Sequence, residues 1–275
     1  MEILLVLGVI FVILTFFYKQ AVCEFRLNQM EWTQKENLST LLQEKIPLVI
    51  RNLPPATFWS AEDVLTRECY VNIPIFQEMS LVEWVSQADG AAVCPWKYQQ
   101  AERIAAVSGM SVWASKWLHP AIIPRWMKGW WYPRYHCWAG SVGLRKTIAT
   151  WTYLFPVDGE IVVSIMPESV ENALPAQWMD GFPAEFTAKD TPFLSDVKYM
   201  DIILRPGNGL FMPAHWFVSW TSREATIREA TSPTGEREAT SPTGEREASS
   251  VLPMVGTISY HSPISLLAFH ASPFT

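Results

Sequence analysis

The chain has 275 residues, of which 49% are apolar and 17% charged, with 14 Trp, 20 Pro and a formal net charge of -6. That length fits one domain or two small ones, and it is ample for a core that needs no disulfide or metal staple. The apolar fraction excludes a wholly disordered chain, and the acidic balance argues against a nucleic-acid binder that works by neutralising phosphates.

The first feature along the chain is ILLVLGVIFVILTFFY, residues 3–18, with no charge and no proline. A full membrane span takes roughly 20 apolar residues. Glu2 precedes the run and no Lys or Arg does, unlike a cleaved signal peptide; Lys19 and Arg26 follow it. The sequence therefore predicts a transmembrane anchor over residues 1–20, single-pass, with the following domain in the cytosol. Residues 21–45 then form a juxtamembrane segment, polar with helical spacing from Glu31 to Glu44, where Trp32, Leu38, Leu41 and Leu42 supply an apolar stripe.

Residues 46–275 read as the main domain. IPLVIRNLP, residues 46–54, is a short β-branched run closed by prolines and predicts a buried strand. Ser60 before Glu62 and Asp63, and Ser80 three residues before Glu83, are helix N-terminal signals. Residues 113–138, dense in Trp and Pro, predict irregular or short helical pieces. From Gly143 onward TIATWTYLF, EIVVSIMPE, KYMDIILRPG and NGLFMP read as strands, broken at Asp158-Gly159, Pro206-Gly207 and Pro213. EATSPTGER then occurs twice in tandem over 229–246, polar and punctuated by Pro and Gly, so 222–250 is expected to be a flexible loop. VLPMVGTISYH resumes strand character and is expected to pair with the strand before the loop. The cysteines Cys23, Cys69, Cys94 and Cys137 form no C-x-x-C pair and read as buried thiols, with two disulfides the alternative in an exported chain.

Several of these pieces together resemble Jumonji-C/cupin-like proteins. PLVIRNLP with Trp59 and Glu62-Asp63-Val64 resembles the strand and helix that open such domains. HPAIIPRW and CWAGSVG look like the approach to the first barrel strand, and IILRPGNGLFMPAHWFVSW resembles a late hairpin of the family. The resemblance covers roughly residues 46–265. It implies a mainly β fold with α elements: a double-stranded β-helix barrel with flanking helices, here preceded by the transmembrane helix.

Active members of that family use iron and 2-oxoglutarate, the iron held by His-x-Asp/Glu and a distant His. The resemblance places the first ligands after CWAGSVG, yet no His, Asp or Glu stands between His136 and Asp158. Where the third ligand should follow a Trp, the order is AHWFVSW, with His215 ahead of it. Glu160 and Ile161 occupy the place of a 2-oxoglutarate-binding lysine. His215 and His261 are the weak metal candidates, on plausible neighbouring strands. Trp138, Trp151 and Trp216 are candidates for a pocket wall. Asp196, Asp201, Glu160 and Glu168 offer carboxylates that no spacing pairs.

These observations predict a membrane-anchored, non-catalytic binding or scaffold module with no catalytic residue and no cofactor. Its partners would be the membrane and another protein, not nucleic acid. A divergent oxygenase using Fe(II) and 2-oxoglutarate is the first alternative, and a Trp-rich structural membrane or envelope protein the second.

Overall fold

The computed structural model describes residues 2–19, 25–76, 79–123, 129–174, 197–223 and 252–270. The tandem repeat, and nearly all of the loop expected at 222–250, lies outside them. Helix α1, Glu2–Lys19, comes first. Strands β1, Asn28–Glu31, and β2, Leu48–Arg51, then pair in parallel, joined by a 3-10 turn at Trp32–Asn37 and helix α2, Leu38–Gln43. Trp32, Leu38 and Leu42 are buried there, as the apolar stripe requires.

A helical layer follows. It comprises α3, Ala61–Thr66; α4, Glu68–Val71; a small antiparallel pair, β3, Pro74–Phe76, with β4, Met79–Ser80; and α5, Leu81–Gln87. Both serine caps form. The Ser60 hydroxyl accepts from the Asp63 N–H at 3.1 Å. The Ser80 hydroxyl accepts from the Glu83 N–H at 3.3 Å, while the Glu83 carboxylate accepts from the Ser80 N–H at 2.8 Å. Helices α6, Tyr98–Ser108, α7, Met110–Trp117, and α8, His119–Ile122, complete the layer.

The remaining strands are β5, Tyr132–Ala139; β6, Val142–Lys146; β7, Trp151–Asp158; β8, Ile161–Met166; β9, Met200–Leu204; β10, Gly209–Pro213; β11, Phe217–Ser222; and β12, Met254–His261. Helix α9, Pro263–His270, ends the described chain. The long sheet has the order β1-β2-β10-β7-β12-β5 and the short one β6-β11-β8-β9. Strand β12 lies antiparallel to β5 and β7, not beside β11, which belongs to the other sheet.

The fold corrects the expected architecture in two respects. It is mixed α/β, and its strands do not close into a double-stranded β-helix barrel. Among the described residues no ladder joins an edge strand of the long sheet to one of the short sheet. The corner between β5 and β6 shows why. There Gly140 donates its N–H to Pro253 and Ser141 donates to Ala92, while the Ser141 carbonyl accepts from Cys94, each at 2.8 Å. The backbone groups at this corner are thus taken by loops, and β5 and β6 diverge into different sheets.

The transmembrane expectation fails as well: among the described residues no helix is long and apolar enough to cross a membrane. Helix α1 carries Glu2 and Lys19 at its ends. At about 1.5 Å per residue its uncharged stretch reaches roughly 24 Å, against about 30 Å of hydrocarbon.

One core nevertheless joins both sheets and the helical layer. Two indoles of that layer fasten β5: Trp59 donates to the Trp138 carbonyl at 3.0 Å and Trp96 to the Cys137 carbonyl at 2.9 Å. A smaller cluster around Leu144 and Phe217 covers the far side of the short sheet.

Candidate ligand cleft

Successive residues of a strand point to opposite faces, so β5 turns Arg134, His136 and Trp138 the same way. All three line a cleft between the sheets. In register beside them, β12 contributes Thr257 opposite His136 and Ser259 opposite Arg134, and both also line it. Across the gap stand Arg145 of β6 and Trp220 of β11. The ladder between β6 and β11 is irregular between Val218 and Trp220, the kind of bulge that re-aims a side chain. The cleft encloses about 50 Å³ open to the centres of water molecules, within about 660 Å³ of empty space continuous with solvent. One water needs roughly 10–15 Å³ on the first measure, so a ligand of a few heavy atoms fits.

Its wall is an aromatic box. Tyr98 of α6 meets His136 edge-on at 5.1 Å and Trp138 at 5.4 Å between centroids. Trp138 meets Trp220 at 6.1 Å, and its indole N–H donates to the Thr257 hydroxyl at 3.0 Å. The Arg145 guanidinium lies 4.3 Å from the Trp138 ring centroid and 4.7 Å from that of Tyr98.

The charges are one-sided. Arg134, Arg145 and Lys146 line the cleft, and among the described residues no Asp or Glu does. Arg134 grips Glu102 of α6 through two hydrogen bonds, 3.1 and 2.7 Å. Lys146 reaches Glu171 at 2.7 Å and Glu168 at 3.4 Å. Arg145 makes no ion pair among the described residues; its partners are the two aromatic faces. Cation–π contacts are worth about 0.5–2 kcal/mol, less than the several kcal/mol that removing a charge from water costs. Three buried nitrogens of wall residues, Arg145 Nε, His136 Nδ1 and Trp220 Nε1, have no hydrogen-bond partner among the described residues. Burial, with Arg134, His261 and Arg145 adding repulsion, pushes His136 down to about 3, so its ring is neutral at pH 7.

Of the expected pocket residues, only Trp138 reaches this cleft. Trp151 is buried in β7, opposite Pro213 and Tyr260. Trp216 is buried under Phe25, their rings stacked at 6.4 Å and 9°. The two metal candidates part company. His261 is buried in the cleft wall, its Nδ1 3.4 Å from the Ser265 hydroxyl. His215 stands outside the lining, in the connection between β10 and β11. There φ is 71°, its N–H donates to the Thr147 carbonyl at 2.6 Å, and its ring lies 3.7 Å from Glu168.

The histidine that shares the cleft with His261 is His136. An iron triad needs a carboxylate beside two histidines, and this wall offers cations instead. Among the described residues no three His, Cys, Asp or Glu side chains are placed to hold a metal. The residues present do not fit the iron site that the resemblance implies.

The other carboxylates are also engaged elsewhere. Glu160 pairs with Arg205 and Arg223, which hold it below the usual carboxylate range. Asp201 accepts from the Ser164 hydroxyl at 2.6 Å. Asp196 lies outside the described residues. Of the expected buried thiols, Cys137 is buried, Cys94 half-buried and Cys69 exposed, none of them in a disulfide, and Cys23 lies outside the described residues.

Sequence reading missed Tyr98, His136 and Arg145 as wall residues. The alternation of Arg134, His136 and Trp138 was the available signal, hidden in a stretch whose Trp and Pro content suggested irregular chain. The chain matches no family model, and no curated protein matches it.

Proposed function

We propose that this protein is a non-catalytic binding module that holds a small molecule between its two sheets. The observation that carries the reading is the cleft: a solvent-open recess with a rigid aromatic wall and convergent polar groups, the usual form of a small-molecule site. Its cations, indoles and hydroxyls suit holding a ligand. Kinship with Jumonji-C/cupin-like proteins is part of the proposal and rests on the sequence elements PLVIRNLP and PGNGLFMP; it does not extend to a closed barrel.

The test is indole N–H spectroscopy of the full chain in non-ionic detergent, against a panel of neutral and charged metabolites. Saturable shifts of the Trp138 and Trp220 signals are expected for at least one of them. A panel that leaves both unmoved would remove the reading. In parallel, anaerobic Fe(II) and 2-oxoglutarate are expected to give no stoichiometric iron. Stoichiometric iron with a cosubstrate-dependent rise in melting temperature would favour the divergent oxygenase instead.

A further inference from the structure

Resting on that reading, we infer that the ligand is a small organic or inorganic oxyanion, a carboxylate or phosphate group seated on Arg145 between the two sheets. Three independent features converge on this. Among the described residues the wall carries Arg134, Arg145 and Lys146 and no lining carboxylate. Of these cations, Arg134 and Lys146 are matched by glutamates of α6 and of the 3-10 turn Glu168–Ala173. Arg145 is held in place by flat aromatic faces that leave its hydrogen-bonding edge uncommitted.

The second feature is the set of unpartnered nitrogens. Buried donors in folded proteins nearly always find an acceptor. His136 is 4% exposed and Trp220 2%; both residues line the cleft, and each keeps a ring nitrogen without a partner among the described residues, as does the half-buried Arg145 at Nε. An indole N–H and a guanidinium N–H only donate. A neutral imidazole with its proton on Nδ1 donates too. Donors of this kind suit an acceptor-rich partner, and an oxyanion is rich in acceptors for its size.

The third feature is orientation. Stacking fixes the plane of the Arg145 guanidinium, and a fixed fork is what two-point recognition of a carboxylate or phosphate needs. A lysine in its place would keep the charge and lose the plane.

The experiment titrates the full chain in non-ionic detergent with succinate, with inorganic phosphate and with succinamide, the neutral diamide of succinate. It follows the Arg145 Nε–H and the Trp138 and Trp220 indole signals. Succinate or phosphate is expected to shift all three saturably, and succinamide to leave them in place. Arg145→Met is expected to raise the dissociation constant at least tenfold, Arg145→Lys to give an intermediate loss, and Arg51→Met, at the exposed last residue of β2, to change nothing. If Arg145→Met does not fold, the Arg145 Nε–H shift in the unmodified chain still decides. Succinamide binding as tightly as succinate, or anion binding indifferent to Arg145, would overturn the oxyanion inference while leaving a ligand-binding cleft. If neither anion binds, the inference also fails, and the neutral metabolites then decide whether the module reading survives.

Discussion

His136 is neutral because burial and three cationic or ionisable neighbours, Arg134, His261 and Arg145, oppose its protonation. Its value falls from 6.5 to about 3 on folding. Between those limits the unfolded chain binds a proton that the folded chain refuses. The stabilisation is therefore complete above pH 6.5 and is lost as pH falls toward 3, at up to about 1.4 kcal/mol per pH unit. Urea unfolding midpoints measured across that window should fall with acidity in the natural chain and fall less steeply in His136→Gln. Identical slopes in the two proteins would show that His136 protonates freely. The same residue shows a limit of reading the sequence alone. His136 stands beside Cys137 in the text, yet its working neighbours are Tyr98 on α6 and Thr257 on β12. No spacing along the chain announces either.

At the level of elements, the corner between β5 and β6 decides which sheet each strand joins. Gly140 has φ of +81°, and a Cβ there would run into the backbone carbonyl of Ala92. Gly207, in the turn before β10, has φ of +87° with open space around it. Gly140→Ala should therefore cost roughly 2–4 kcal/mol, strain and overlap together, and Gly207→Ala about 1 kcal/mol from backbone strain alone. Chemical denaturation of the two variants checks this, and equal losses would mean that the Ala92 contact yields easily.

Much of this scale was legible: both serine caps, the β2 run, and the strands β7 to β10 with their Gly turns follow from local chemistry. Strand β5 was not. YPRYHCWA has a proline, no β-branched residue and Arg134 as its one charged side chain, so its alternation stands out little from the Trp- and Pro-rich chain before it. Sheet membership was hidden too, because β11 and β12 flank a long insertion and pair with strands far away in sequence.

Over the whole molecule, α1 stands apart from the core. Ile3 is 77% exposed, Leu4 74% and Phe11 51%, and the helix touches α9. Exposed apolar surface of that kind drives association. A chain beginning at Phe25 should unfold at the same temperature as the full chain and need less detergent to stay monomeric in sedimentation experiments. A drop of several degrees would show that α1 belongs to the folding unit. The cleft was the least legible feature of all, since its wall is assembled from α6 and from β5, β6, β7, β10, β11 and β12, and exists only once both sheets have met.

That assembly has a consequence through α6. The helix supplies Tyr98 to the box and Glu102 to Arg134, so it holds the floor of the cleft and one of its cations together. Occupancy and helix docking are then reciprocal: whatever a bound molecule adds to the grip of α6, a firmer α6 returns as tighter retention of that molecule. Amide hydrogen exchange along Tyr98–Ser108 would register the event without any contact between ligand and backbone, which makes this helix the natural gauge of an occupied cleft.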